Sequence, residues 1–136
     1  VNKQYFQGKS SEHFVAFFLN LNGYRTSIVN QMGYDLITTV DNIMYKIEVK
    51  SSSSRIKNRK AFKFSTKQGK KNRKLSENLD SDIVAFVMIY QNLTPRIYFK
   101  PTFKITGLSH SIYDIHININ MEIDTFNESI MQLGGN

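Results

Sequence analysis

Residues 83–90, IVAFVMIY, are an unbroken apolar run. A strand with no polar face must be covered on both sides, as happens inside sheets that carry other layers above and below. Arg96 to Phe99 is expected to pair with it across the QNLTP turn.

The rest of the chain supplies the other layers. A helix is expected where Ser10 or Ser11 can act as N-cap, Glu12 falls in the first turn and Gly23 follows Asn22 as a stop. Phe14, Val15, Phe17, Phe18 and Leu21 give it an apolar stripe at helical spacing. Tyr24 to Val29 reads as a first strand, Tyr34 to Val40 as a second, and Ile43 to Lys50 as its hairpin partner across Asp41-Asn42. AFKFS (61–65) reads as a short strand, while Thr66 to Asn78 suits either a loop or a short helix. Ile115, Ile117, Ile119, Met121 and Ile123 alternate with polar residues, the pattern of a half-buried strand, and a helical turn is expected near Phe126 to Leu133.

A length of 136 residues suits one domain, 1–136, with a core over about 8–100 and a C-terminal extension over 101–136. The absence of cysteine excludes disulfides, thiolate metal sites and a cysteine nucleophile. No apolar run approaches the roughly 20 residues that cross a bilayer, and the VNKQYFQGK start has no signal-peptide core. An intracellular protein with no membrane partner is expected, with an initiator residue ahead of Val1.

The net charge of +7 is concentrated. Arg55, Lys57, Arg59, Lys60, Lys63, Lys67, Lys70, Lys71, Arg73 and Lys74 lie in one segment without an acidic residue, so the remainder is mildly acidic. A basic block on such a background is the footprint of a polyanion-binding surface, and these ten residues are the candidate nucleic-acid contacts. A solvated loop that aids solubility is the plainer alternative.

The hairpin places chemistry beside that block. A turn at Asp41-Asn42 pairs Val40 with Ile43 and sets Asp35 opposite Glu48, with Cβ atoms about 5 Å apart. Lys50 falls on the same face two residues on, and the other face is mostly apolar. Like charges directly opposed are unfavourable unless offset. A divalent cation offsets them, and oxygen ligands from one or two carboxylates plus water and phosphate suit magnesium. A surface ion-pair cluster with Lys50 is the alternative. His110, Asp114 and His116 lack the helical spacing of a zinc site, and no P-loop or GxSxG pattern is present.

Glu12 in the first helix, "GYD" ending at Asp35 and "EVK" at Glu48-Val49-Lys50 together resemble the PD-(D/E)XK nuclease superfamily, which includes restriction enzymes, homing endonucleases and archaeal Holliday-junction resolvases. The proline of the family's name is absent, since Tyr34 precedes Asp35. The resemblance implies a restriction-endonuclease-like αβββαβ core, with one helix packed on a small mixed sheet. It implies Asp35 and Glu48 as metal ligands, helped by the Val49 carbonyl, and Lys50 as the residue that orients the attacking water and stabilises charge on the phosphate. Glu12 would support that metal or a second one, or would simply sit well at a helix N-terminus.

The expected activity is that of a Mg2+-dependent endonuclease, with Mn2+ able to substitute, hydrolysing double-stranded DNA without a covalent intermediate. Cutting both strands needs two sites, so a homodimer or homotetramer is expected. A site-specific enzyme, homing or restriction-like, would use the basic block and the tail for groove contacts. A Holliday-junction resolvase would read four-way shape, and a non-catalytic nucleic-acid-binding module would bind without cutting.

Overall fold

The computed structural model describes residues 2–68, 73–74 and 80–134. Helix α1 (Lys3–Leu21) begins about two turns before the expected start, because the Asn2 side chain caps it by accepting the Tyr5 amide at 3.2 Å. Gly8 sits inside this early stretch, in a spot with open space around it, and masks the helix in the sequence. Glu12 therefore lies mid-helix, and the helix dipole does not explain it. Ser11, Val15 and Leu19 recur every four residues on the buried side, with Glu12 and Ala16 beside them. Phe17 and Leu21, expected in the stripe, are exposed. The stop is where the sequence puts it: Gly23 takes φ +88°, a region that a Cβ disfavours.

The helix end is stitched to the first strand, β1 (Arg25–Gln31), by the Asn20 side chain. It donates to the Thr26 carbonyl at 3.0 Å and accepts the Thr26 amide at 2.9 Å, as a neighbouring strand would. Strands β2 (Tyr34–Val40) and β3 (Ile43–Ser52) follow. Asp41 and Asn42 take φ +51° and +66°, the left-handed pair of a tight hairpin turn, which these two residue types tolerate.

The chain continues through β4 (Arg55–Ile56), β5 (Ala61–Ser65), β6 (Lys67–Gln68) and β7 (Arg73–Lys74) to β8 (Ile83–Ile89) and β9 (Pro95–Pro101). Strand β10 (Ser109–Tyr113) and helix α2 (Met121–Gln132) complete it. The main sheet has the order β1-β2-β3-β8-β9, with β3 and β8 parallel and the other neighbours antiparallel. A three-stranded sheet, β10-β5-β4, forms a second layer, and β6 pairs with β7.

Strand β8 is covered on both faces, which is why its sequence is apolar throughout. Ile83, Ala85 and Val87 join Val15, Leu19, Leu36 and Ile47 in a core under α1. Val84, Phe86 and Met88 join Phe62, Phe64 and Ile112 in a second core under the smaller sheet.

The chain after β9 departs from the expected strand. Asp114–His116 is a single 3-10 turn, Ile115 and Ile119 are 87% and 90% exposed, and α2 starts at buried Met121. The helix wins because it closes the edge of the sheet. The Ile97 amide donates to Glu122 at 3.1 Å and the Phe99 amide to Thr125 Oγ1 at 3.0 Å, satisfying the free side of β9. Phe126 meanwhile enters the first core against Phe99 and Tyr24. The mixed α/β class is as expected. The second helix, though, follows β9; among the described residues no α-helix stands between β3 and β8.

Candidate active site

The β2–β3 ladder runs from Val40↔Ile43 to Leu36↔Ile47, the register read from the sequence. One step further along lie Asp35 and Glu48, where the two strands part. The Val49 amide donates to Asp35 Oδ2 at 2.8 Å, so the carboxylate takes the place of a ladder carbonyl. Strand β3 is held on its other side by β8, with Glu48 beside Val84 and Lys50 beside Phe86. The two functional side chains of β3 are thus fixed on a central strand at the border of the second core.

Charge at this border is crowded. Lys50 Nζ stands 3.6 Å from Glu48 Oε1, an ion pair longer than a hydrogen bond. Burial, then the charge of Asp35, pushes the Glu48 carboxyl up to about 7, and Lys50 offsets only part of that. Asp35 is also raised by burial, against the pull of the Val49 amide and of Lys50 and Lys9. Glu12 reaches the same field from mid-α1: burial and then Asp35 raise it. Its Oε1 is buried without a hydrogen-bond partner, and Lys9 Nζ, 3.7 Å away, supplies charge but no hydrogen bond.

Three carboxyl groups raised by burial, two of them also by the charge of Asp35 and one with an unpartnered buried oxygen, have the donor chemistry that a hard divalent cation takes. Among the described residues no three His, Asp or Glu side chains form a preassembled cage. A cation that keeps waters and takes substrate phosphate needs only one or two carboxylates, so Asp35 and Glu48 suffice as a donor set. The residues fit the group.

Two contributors were not read from the sequence. Lys9 joins Glu12 to Asn30, donating to Asn30 Oδ1 at 3.0 Å, and Gln7 Nε2 donates to Ser51 Oγ at 3.3 Å. The cue for Lys9 is its i,i+3 spacing from Glu12, which means little until the helix is known to start at Lys3.

The basic block is dispersed. Arg55 on β4 is tied to Asp114 through both guanidinium nitrogens, with Nη1–Oδ1 at 2.8 Å, and lies over the Phe62 ring. Lys63 on β5 is exposed, and its carbonyl accepts the Ser52 hydroxyl at 2.6 Å, which fixes it just past Lys50. Arg59 and Lys60 are exposed beside the 3-10 turn Lys57–Arg59. Lys67 lies on β6 opposite Lys74 on β7, with Arg73 opposite Gln68. Lys70 and Lys71 fall outside the described residues. His110 is stacked on Phe86, and burial lowers it to about 4, while Asp114 is paired with Arg55.

A family model described as PD-(D/E)XK endonuclease matches residues 4–125. The chain belongs to the PD-(D/E)XK endonuclease family. Nucleases of this family generally use divalent metal ions. Among solved structures, the chain is similar in fold to the bacterial homing endonuclease I-Ssp6803I, with 18% identity and a TM-score of 0.68 over 98% of this chain and 95% of that one. The PD-(D/E)XK chain therefore has the restriction-endonuclease-like fold. A Holliday junction resolvase from Archaeoglobus fulgidus, Hjc, also matches, with 15% identity and a TM-score of 0.48 over 79% and 84% of the two chains. A comparison with curated protein sequences finds no match.

Proposed function

We propose that residues 1–136 act as one Mg2+-dependent DNA endonuclease unit in which Asp35 and Glu48 hold the metal, Glu12 supports it and Lys50 serves the attacking water. The observation that carries this reading is the placement of Asp35, held by the Val49 amide, next to Glu48 and its ion-pair partner Lys50, with Glu12 of α1 close enough to feel the charge of Asp35. When bound, a divalent cation supplies Lewis-acid polarisation of the phosphate and lowers the pKa of water, with the Val49 carbonyl as a further donor to it. Val49's amide orients Asp35, and the β3 backbone spaces Glu48 and Lys50 along one face. The Lys50 ammonium can hold the water's oxygen and stabilise charge developing on the phosphate. Exposed Lys63, Arg59 and Lys60 contact flanking phosphates.

Site-specific cleavage is favoured over junction resolution. The fold likeness to a homing endonuclease extends over almost the whole of both chains, so the stretch beyond Pro101 is part of the shared architecture. A homodimer or homotetramer would supply the second site for the second strand. The test offers the protein three substrates with magnesium: random linear duplex, a library of randomised targets, and four-way junctions. Enrichment of one sequence among the cut products supports the site-specific reading. Nicking only near the crossover, whatever the sequence, supports a resolvase. No cutting of any substrate with magnesium or manganese leaves a binding module.

A further inference from the structure

The smaller sheet covers only part of the main one. The second core contains residues of β5, β8 and β10 and none of β1, β2 or β3. On β1–β3 the residues facing α1 are buried (Thr26, Leu36, Thr38, Tyr45 and Ile47), while the alternate residues remain open. Arg25, Ser27 and Met44 are exposed, and Ile37, Thr39 and Lys46 are half-buried. The ladders set these six in two rows: Arg25–Thr39–Met44, and Ser27–Ile37–Lys46.

The next row along the same face is Asp35–Glu48. Each step of two residues advances about 7 Å along a strand, so the rows lie about 7 and about 14 Å from the acidic pair. Duplex DNA rises about 3.4 Å per base pair along each strand. A duplex laid along the strands with its scissile phosphate at Glu48 and Lys50 would set the inner row about two base pairs away and the outer row about four.

The chemistry of the rows suits base edges. Arginine and lysine read guanine, hydroxyls from serine and threonine serve either donors or acceptors, and isoleucine and methionine can meet a thymine methyl. Strands β1–β3 bring Arg25 and Lys46 to this face; their carboxylates are the Asp35 and Glu48 already assigned to the metal and Asp41 at the turn, and Asp82 ahead of β8 is tied to the Lys46 backbone. Lys46 is held over the Tyr34 ring at 5.2 Å, and its amide donates to Asp82 at 2.8 Å, which steadies it. A two-stranded β-ribbon fits a major groove, and β1–β2 form such a pair at the edge of the sheet. The geometry points to the open face of β1–β3 as the surface that reads base sequence, with Arg25 and Thr39 specifying positions about four base pairs from the cut. This rests on the nuclease reading for the position of the cut, and it assigns the basic block to phosphates and this face to bases.

The experiment is a binding selection from a randomised duplex pool, run in a Lys50→Ala background with chelator so that nothing is cut. It is repeated with Arg25→Ala and with Thr39→Ala added, after melting curves confirm that each variant is folded. Cleavage of the same pool by the wild-type chain with magnesium is read separately and locates the cut. The expected result is a base preference about two to four base pairs from the cut, with discrimination at the outer position falling about tenfold or more in Arg25→Ala. Unchanged preferences in both variants overturn the inference, as does a pool with no preference at all. A change in oligomeric state on size exclusion with preferences intact also overturns it, because the face would then cover a second copy. If the wild-type chain fails to cut, the nuclease reading falls, while a preference lost in Arg25→Ala still identifies the reading surface.

Discussion

The Asp35 carboxylate accepts the backbone amide of Val49 at 2.8 Å, which locks it next to Glu48 at the point where β2 and β3 separate. One hydrogen bond thus fixes the two acids against their own repulsion. It also distinguishes two kinds of substitution. Asp35→Asn keeps an acceptor for Val49 and removes the charge, so without metal the variant should melt at or above the wild-type temperature. Asp35→Ala leaves a half-buried amide unpaired and should cost about 1–2 kcal/mol. Denaturant titrations with chelator present check the order Asn ≥ wild type > Ala. A marked loss of stability in Asp35→Asn would make Asp35 a structural partner only.

Glu48 makes stability depend on pH in a direction that can be worked out. Its carboxyl rises from 4.5 in the unfolded chain to about 7 when folded, so between those values the native state binds more protons. Stability contributed by this group is therefore highest below about pH 4.5 and is lost as pH rises to about 7. The full difference is on the order of 3 kcal/mol. Asp35 and Glu12 are shifted the same way. In chelator, the stability difference between wild type and Glu48→Gln should move in favour of the variant from pH 5 to pH 8. Parallel pH profiles for the two proteins would show that Glu48 is not desolvated.

Lys50→Ala should lower the cleavage rate by about 100-fold or more, with DNA affinity within a few-fold of wild type. Lys50 is one positive charge among many for binding, but it sits beside Glu48 where the phosphate would react. Single-turnover rates and filter-binding isotherms separate the two effects. A wild-type cutting rate in the variant would remove Lys50 from the chemistry.

The basic block should prove unequal. Lys63 is exposed and anchored through its backbone next to Ser52, whereas the Arg55 guanidinium is committed to Asp114. Each phosphate contact contributes about 0.9 to the slope of log affinity against log salt. Lys63→Ala should reduce that slope by roughly one contact and leave the melting temperature unchanged. Arg55→Ala should change the slope less and lower the melting temperature, because it unlinks β4 from the end of β10. Equal slopes for the two variants would contradict this division.

Local signals carried the parts of the fold that local signals decide. Asp41-Asn42 fixed the hairpin register, and with it the neighbourhood of Asp35 and Glu48, because a tight turn leaves one pairing. The apolar run of β8 announced two covered faces. The start of α1 is hidden because the turns after Asn2 carry Gly8 and bury none of their apolar residues, Tyr5 and Phe6 being exposed, so the apolar stripe that marks the helix begins only at Phe14. Alternation at 115–123 misled for a tertiary reason: Glu122 and Thr125 are needed to satisfy β9, which no short-range pattern reveals. Lys9 and the unpartnered Glu12 oxygen became visible only once α1 was packed against the sheet.

The most direct test of the account is cutting of a supercoiled plasmid carrying the target enriched from the randomised library, at pH 8, by the wild-type chain and Glu48→Gln, each with magnesium and with chelator. The account predicts nicked or linear product only for the wild type with magnesium, from a variant pair whose melting curves show both proteins folded. Cutting that persists in chelator, or in Glu48→Gln at the wild-type rate, would contradict it.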